Sequence, residues 1–220
     1  VTSTANGHTV LEAVVMLPRV MVWQADLVID SADATPFTGT VTLSLADGAL
    51  FLVGAPWRPP AVWRDHTHVR IVGGAAKLRT RLDAGAFTKT TARAILLDIV
   101  SGAGERLSDT IDPALLGTHL DSWVRLESSA GAALTSIAAE LGAVWRVLPD
   151  GSIWLGAETW PDAAPSDYTI LDRNIEDAIM LIGADAPTLL PGTMFEGGKV
   201  GRVVHRLGQA NTRTDVTFDD

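Results

Sequence analysis

AALTSIAAELGAVWRVLPDGSIWLG, residues Ala132 to Gly156, reads as a short helix running straight into a tight β-hairpin. Ala130, Ala133, Leu134, Ile137, Ala138 and Leu141 fall at the three- and four-residue spacings of one helical face. Ser128 or Ser129 stands where an N-cap belongs, and Gly142 where the helix stops. AVWRVL and SIWLG then flank Pro149-Asp150-Gly151. Asp-Gly between apolar alternations is a strong hairpin signal, because both residues tolerate positive φ. A helix with one apolar stripe must bury it against a sheet or a second helix. The stretch contains no obvious catalytic group, so its role has to be sought in packing.

A second helix of the same design lies upstream. In TKTTARAILLDIVSGAG, Ala92, Ile95, Leu96, Ile99 and Val100 make the stripe, Thr90 or Thr91 caps it and Gly102 can end it. Ahead of it the chain alternates as strands do. FTGTVTLSLADGALFLVG places Val41, Leu43 and Leu45 on one face, with an Asp47-Gly48 turn and a return strand through Leu50–Val53. PWRPPAVWRD is predicted to be a proline-rich loop, and HTHVRIVGGAAKLRTRLD a strand pair broken at Gly73-Gly74. Beyond the linker TWPDAAPSD, DAIMLIGAD fits a helix or a strand, and is read as a strand because Gly183 and a proline loop follow closely. GGKVGRVVHRLG sets Val200, Arg202, Val204 and Arg206 against Gly201, Val203, His205 and Leu207, and TRTDVTFD closes the chain as an exposed strand. No fixed-period repeat occurs. The expected organisation is a strand-rich barrel-like domain over 1–87, a helix–helix–hairpin unit over 88–165 and returning strands over 166–220.

Composition narrows the function. The chain has 220 residues, 47% hydrophobic and 20% charged, which suits a folded domain with a real core. Its apolar runs are far too short to span a bilayer, and its first residues lack the basic-then-apolar order of a signal peptide, so neither membrane insertion nor targeting is expected. There is no cysteine, which excludes disulfides, thiolate metal sites and cysteine nucleophiles. The net charge of −9, with 17 basic residues that do not cluster, argues against specific nucleic-acid binding. Seven tryptophans against one tyrosine point to core and rim packing, or in part to subunit interfaces.

Motifs for chemistry are weak. Asp65-His66-Thr67-His68 is the best metal candidate, since residues two apart on a strand share a face; Asp65 points to the other face and a third ligand is missing. His8, His119 and His205 lie far apart. No G-x-S-x-G elbow exists, and Ser101, Ser128 and Ser129 read as helix-end residues. Glu12, Asp98, Glu127 and Glu140 read as surface charges, with nothing to single out a catalytic pair. Gly73-Gly74, Gly102-Ala103-Gly104 and Gly197-Gly198-Lys199 lack phosphate-loop spacing and read as turns or bulges. No catalytic, cofactor-binding or metal-binding residue is assigned, and no cofactor is expected.

SSAGAALTSIAAELGAVWRVLPDGSIWLGAETW, the turn LLPGTMFEGG, and KVGRVVHRLG followed by a strand opening at Thr212 to Thr214 together resemble the baseplate-hub proteins of contractile phage tails, the late-control-protein-D-like family, related to the front part of type VI secretion spike proteins. The resemblance covers residues from about 88 to 220; the first 87 share with the family only their richness in strands. It implies an α+β, β-rich fold with two tail-tube-like β-barrel domains, short packed helices and a C-terminal strand return. It implies a homotrimer whose ring of pseudo-sixfold symmetry adapts the hexameric tail tube to a trimeric spike, in the baseplate of a virion tail assembled in the host cytoplasm. At 220 residues it implies a minimal hub on which a separate spike protein docks, among other baseplate proteins. TVTLSL and RTDVTF are then the strands expected to pair across subunits, and an acidic conduit would not trap passing DNA. Another tail-tip component, such as a distal tail or fibre-attachment protein, and a cell-wall hydrolase are the competing readings.

Overall fold

The computed structural model describes residues 2–163, 165, 168–174, 176–183, 186–208 and 212–219. β1 (Thr4–Ala5) and β2 (His8–Pro18) form a hairpin, and β3 (Gln24–Ile29) returns beside β2. A 3-10 turn over Thr35–Phe37 leads to β4 (Val41–Leu45) and β5 (Leu50–Pro56). Their turn holds Asp47 at φ 56° and Gly48 at φ 91°, the left-handed pair that the sequence signals. β6 (Ala61–Trp63) and β7 (His66–Gly73) follow as a second hairpin. Six strands close into a ring in the order β1-β4-β5-β7-β3-β2 and back to β1. Its interior is filled by the period-two residues of each strand: Val15 and Leu17, Ala25 and Leu27, Val41, Leu43 and Leu45, Leu52, Val69 and Ile71.

The middle of the chain closes one end of this ring. β8 (Arg81–Leu82), β9 (Gly85–Thr91), α1 (Ala92–Ala103), α2 (Pro113–Leu116), β10 (His119–Arg125), β11 (Ser128–Ser129), α3 (Ala130–Glu140), β12 (Val144–Val147) and β13 (Ile153–Gly156) follow in order. Thr91 and Ser129 cap α1 and α3, accepting from the amides of Ala94 and Ala132 at 3.4 and 3.2 Å. The two helices pack stripe to stripe through Ile95, Leu96 and Ile99 and through Leu134 and Ile137, all fully buried. Each such side chain contributes roughly 1.5–3 kcal/mol. The β12–β13 hairpin is seated on the ring rim. Val53 N–H donates to Pro149 O at 2.7 Å, Met21 N–H to Trp145 O at 2.8 Å, and the buried Trp23 indole to Leu148 O at 3.2 Å. The Trp23 ring lies so close to Gly73 that a Cβ there would come within 2.5 Å of its Nε1.

β14 (Ile170–Asn174), β15 (Ile179–Ile182), β16 (Met194–Phe195), β17 (Gly198–Leu207) and β18 (Arg213–Asp219) complete the chain. They form a second sheet unit, ordered β17-β18-β15-β14, that joins the ring through antiparallel pairing of β17 with β2. This unit has its own core of Met180, Ile182, Leu189, Phe195, Val200, Val203 and Val216. The result is the β-rich α+β architecture the sequence implies, with short packed helices and a C-terminal strand return.

Five sequence expectations are corrected. Gly102 does not end α1, which runs through it to Ala103 and is stopped by Gly104, held at φ 75°. Ala61–Trp63, inside the proline-rich segment, is a strand paired with β7, because the three prolines, Pro56, Pro59 and Pro60, all lie before it starts. β8 does not pair with β7 across Gly73-Gly74; it pairs with β11, since the chain between them turns away to reach the helices. The single alternation expected through β17 is broken by a bulge between Val200 and Arg202, which puts Val200 and Val203 into one core. TVTLSL and RTDVTF are not free edges. β4 is flanked by β1 and β5, and β18 by β17 and β15.

Candidate assembly surfaces

The histidines, serines and carboxylates that could carry chemistry are placed individually and not gathered. His66 and His68 do share one face of β7, with Thr67 between them buried and donating to Ser31 O at 2.7 Å. The His66 ring stands 3.8 Å from the Asp30 carboxylate, and the His68 ring packs edge-on against Trp63 with centroids 6.1 Å apart. Among the described residues no three of His, Asp and Glu come together as metal ligands. His8 packs on Phe37, His119 is exposed on β10, and His205 is buried on β17 with Nδ1 3.3 Å from Thr214 Oγ1.

The serines act at helix ends. Ser129 is the α3 cap, and Ser128 donates to Leu126 O at 3.1 Å. The carboxylates are dispersed: Asp98 pairs with Arg125, Glu127 pairs with Arg81 at 2.6 Å, Glu12 lies exposed on β2 and Glu140 ends α3. An apolar groove of about 530 Å³ between the ring rim and α3 is lined by Met21, Trp57, Leu78 and Trp145. Its two hydroxyls are both engaged: Ser129 in capping, Thr135 in accepting from the Trp145 indole and donating to Gly131 O. This groove offers no nucleophile–base pair.

Sequence reading missed two carboxylates that organise the molecule, because their partners are distant in the chain. Glu105 accepts from the amides of Ala75 and Lys77, both at 2.8 Å, and so fixes the loop after β7. Glu158, only 8% exposed, pairs with Arg146 and stands 3.7 Å from Arg19; Arg19 in turn bonds Asp219 at 2.6 Å. Arg146 also lies over the Trp154 ring, 4.3 Å from its centroid. This cluster ties β12 to β18, and hence the first core to the second.

The outer face of the sheet is charged in matched pairs. Arg70 on β7 holds Asp26 on β3 by two bonds of 2.6 and 2.9 Å, and the carboxylate raises the guanidinium pKa further. Asp215 on β18 takes Arg206 of β17 at 2.7 Å and Arg213 at 3.0 Å. Exposed pairs of this kind add little stability each.

No family model and no curated protein sequence matches the chain. Solved structures do. The 43 kDa tail protein of prophage MuSo2 from Shewanella oneidensis matches with a TM-score of 0.65 at 10% identity, over 99% of this chain and 97% of that one. A tail protein from Neisseria meningitidis MC58 matches with a TM-score of 0.64 at 10% identity, over 100% and 96%. The E. coli c3393 protein, a component of the type VI secretion system described as structurally similar to the T4 bacteriophage tail proteins gp27 and gp5, matches with a TM-score of 0.69 at 10% identity, over 100% and 75%. The likeness takes in the first 87 residues, where sequence motifs carried none. The chain therefore has, from end to end, the fold of phage tail proteins and of a type VI secretion component.

Proposed function

We propose that this protein is a structural baseplate hub of a phage or phage-like contractile tail. Three copies form a ring that adapts the sixfold tail tube on one side to a trimeric spike on the other, and lines the conduit between them. The observation that carries this reading is that one chain joins two antiparallel sheet units, each with its own core. β6-β7-β3-β2 and β17-β18-β15-β14 are two antiparallel four-stranded units, joined through β2 and β17. Three copies present six such units, which is the symmetry match a tube-to-spike adaptor needs. The full-length likeness to tail proteins supports the same reading.

The protein acts by geometry and not by catalysis, in the tail of the virion, with other baseplate proteins as neighbours. The net charge of −9 disfavours retention of DNA passing through. Light scattering over a concentration series tests the proposal. A mass near three times 23.3 kDa is the expected result. A monomer at every concentration, and no ring in the presence of tail tube protein, would overturn it.

A further inference from the structure

The six-stranded ring closes through a strand of only two residues. β1, Thr4 and Ala5, pairs with β2 on one side and β4 on the other. The next residue extends the closure through its side chain. Asn6 Nδ2 donates to Pro36 O at 2.7 Å and to Thr40 O at 3.1 Å, while its Oδ1 accepts from the Thr42 amide at 2.8 Å. The Asn6 backbone amide donates to Thr42 O at 2.9 Å. One exposed asparagine thus ties β1 to β4 and to the 3-10 turn ahead of it.

Asn6 and Gly7 also make the two-residue turn into β2, at φ 47° and 83°. Asn-Gly is a chemically reactive pair, because glycine has no side chain to shield its backbone nitrogen. Asn174 and Asn211 precede Ile175 and Thr212, whose branched side chains do shield it. We propose that Asn6 is a deamidation site, that the fold holds it off while the β1 seam is closed, and that its reaction keeps the seam open afterwards. The site lies within one chain, so it does not depend on the number of copies in an assembly.

In the reaction the Gly7 nitrogen gives its proton to solvent base and attacks Asn6 Cγ. An N–Cγ bond forms, the Cγ–Nδ2 bond breaks, and Nδ2 leaves as ammonia with a proton from water. Water then opens the five-membered imide. Breaking the new bond gives aspartate; breaking the original Asn6–Gly7 peptide bond gives isoaspartate. Water is the only co-reactant, and no electrons are transferred. The closed seam opposes the first step. Two carbonyls hold the Nδ2 hydrogens and the Thr42 amide holds Oδ1, so turning the carboxamide toward the Gly7 nitrogen breaks three hydrogen bonds. The products oppose reclosure. A carboxylate has no donor, and it sets an oxygen against Pro36 O and Thr40 O where Nδ2 stood. Isoaspartate adds a carbon to the main chain inside a two-residue turn, and the register of β1 is lost.

The test incubates the full chain at mildly alkaline pH, folded and in urea, and follows the gain of one mass unit by peptide mass spectrometry. Asp47-Gly48 and Asp150-Gly151 form the same imide but regain water with no change in mass, so the signal reports asparagine alone. Asn6 is expected to react first in the unfolded chain and at least ~100-fold more slowly in the folded one, where the rate is scaled by the open fraction. T42P removes the amide that holds Oδ1; it should raise the folded rate several-fold and leave the rate in urea unchanged. N6D carries the product side chain, and should melt lower and exchange amide hydrogens faster in β1 and at the start of β4. Equal folded and unfolded rates overturn the protection. Faster reaction at Asn174 or Asn211 in urea overturns the site. N6D with wild-type melting and exchange overturns the lasting opening, and an unchanged folded rate in T42P overturns the part given to Thr42. The wild-type and N6D results decide the proposal even where T42P fails to fold.

Discussion

Asp150 shows how much one side chain in a turn can hold. Its carboxylate accepts from the Ser152 amide at 2.9 Å and from the Ser152 hydroxyl at 2.6 Å, and its second oxygen takes Arg106 at 3.1 Å. Partial burial pushes its pKa up, but the Ser152 bonds and Arg106 outweigh it, and the net shift is downward. A carboxyl with a lowered folded pKa contributes stability above its unfolded value near 4, and loses it as pH falls through the folded value. Asp150→Ala is expected to cost about 1 kcal/mol at pH 7. Urea titrations at pH 7 and pH 3 should show the gap between wild type and variant shrinking in acid. A gap that stays constant would place the effect in turn geometry alone. The Asp150-Gly151 turn was legible in the sequence because its partners are local. Arg106 was not, since it arrives from 44 residues away.

At the scale of elements, local signals read true and long-range ones did not. Both long helices sit where their stripes and N-caps put them, and of the alternative caps the structure selects Thr91 and Ser129; the first helix overruns the expected stop at Gly102 and ends at Gly104. Ser129→Ala should cost about 1 kcal/mol and Thr91→Ala less, because the Thr91 bond is the longer, at 3.4 against 3.2 Å. Thermal unfolding of the two variants would check that order. The β12–β13 hairpin was plain, whereas the strand at Ile179–Ile182 could be told from a helix only by the Gly183 and proline loop that follow it. What alternation cannot show is a strand's neighbours. TVTLSL and RTDVTF look like edges because their outward residues are polar, yet each lies between two strands with its polar side facing solvent. The true edges, Ala61–Trp63 and Ile170–Asn174, look poor as strands: one follows two prolines and the other carries adjacent Asp172 and Arg173. Of the tryptophans, Trp23, Trp123 and Trp145 are core, while Trp63 stands exposed on an edge strand; composition alone could not divide them.

Across the whole molecule, the relation between the two cores matters most for assembly. A ring of fixed number closes only if every copy subtends the same angle. In the proposed ring two features would set that angle: the continuous pairing of β2 with β17, and the Arg146–Glu158–Arg19–Asp219 chain beside it. Glu158 is its pivot, since among the described residues it alone faces both arginines. Removing it leaves Arg146, only 18% exposed, with its bond to Arg19 O and its stack on Trp154 but no counter-charge. A fully buried pair broken in this way costs roughly 3–5 kcal/mol. Partial exposure of both arginines reduces the expected loss for Glu158→Ala to about 2–3 kcal/mol. Because the link joins two cores, the loss should fall on their coupling as well. Urea unfolding followed by tryptophan fluorescence is expected to broaden, with a lower slope or two transitions, as cooperativity between the cores weakens. Glu158→Gln keeps a hydrogen-bonding side chain of the same shape and should recover the single transition in part. If Glu158→Ala lowers stability with the slope unchanged, the β2–β17 pairing alone couples the cores. If it broadens the transition, its assemblies should also be mixed in number, since the angle between the halves is no longer fixed.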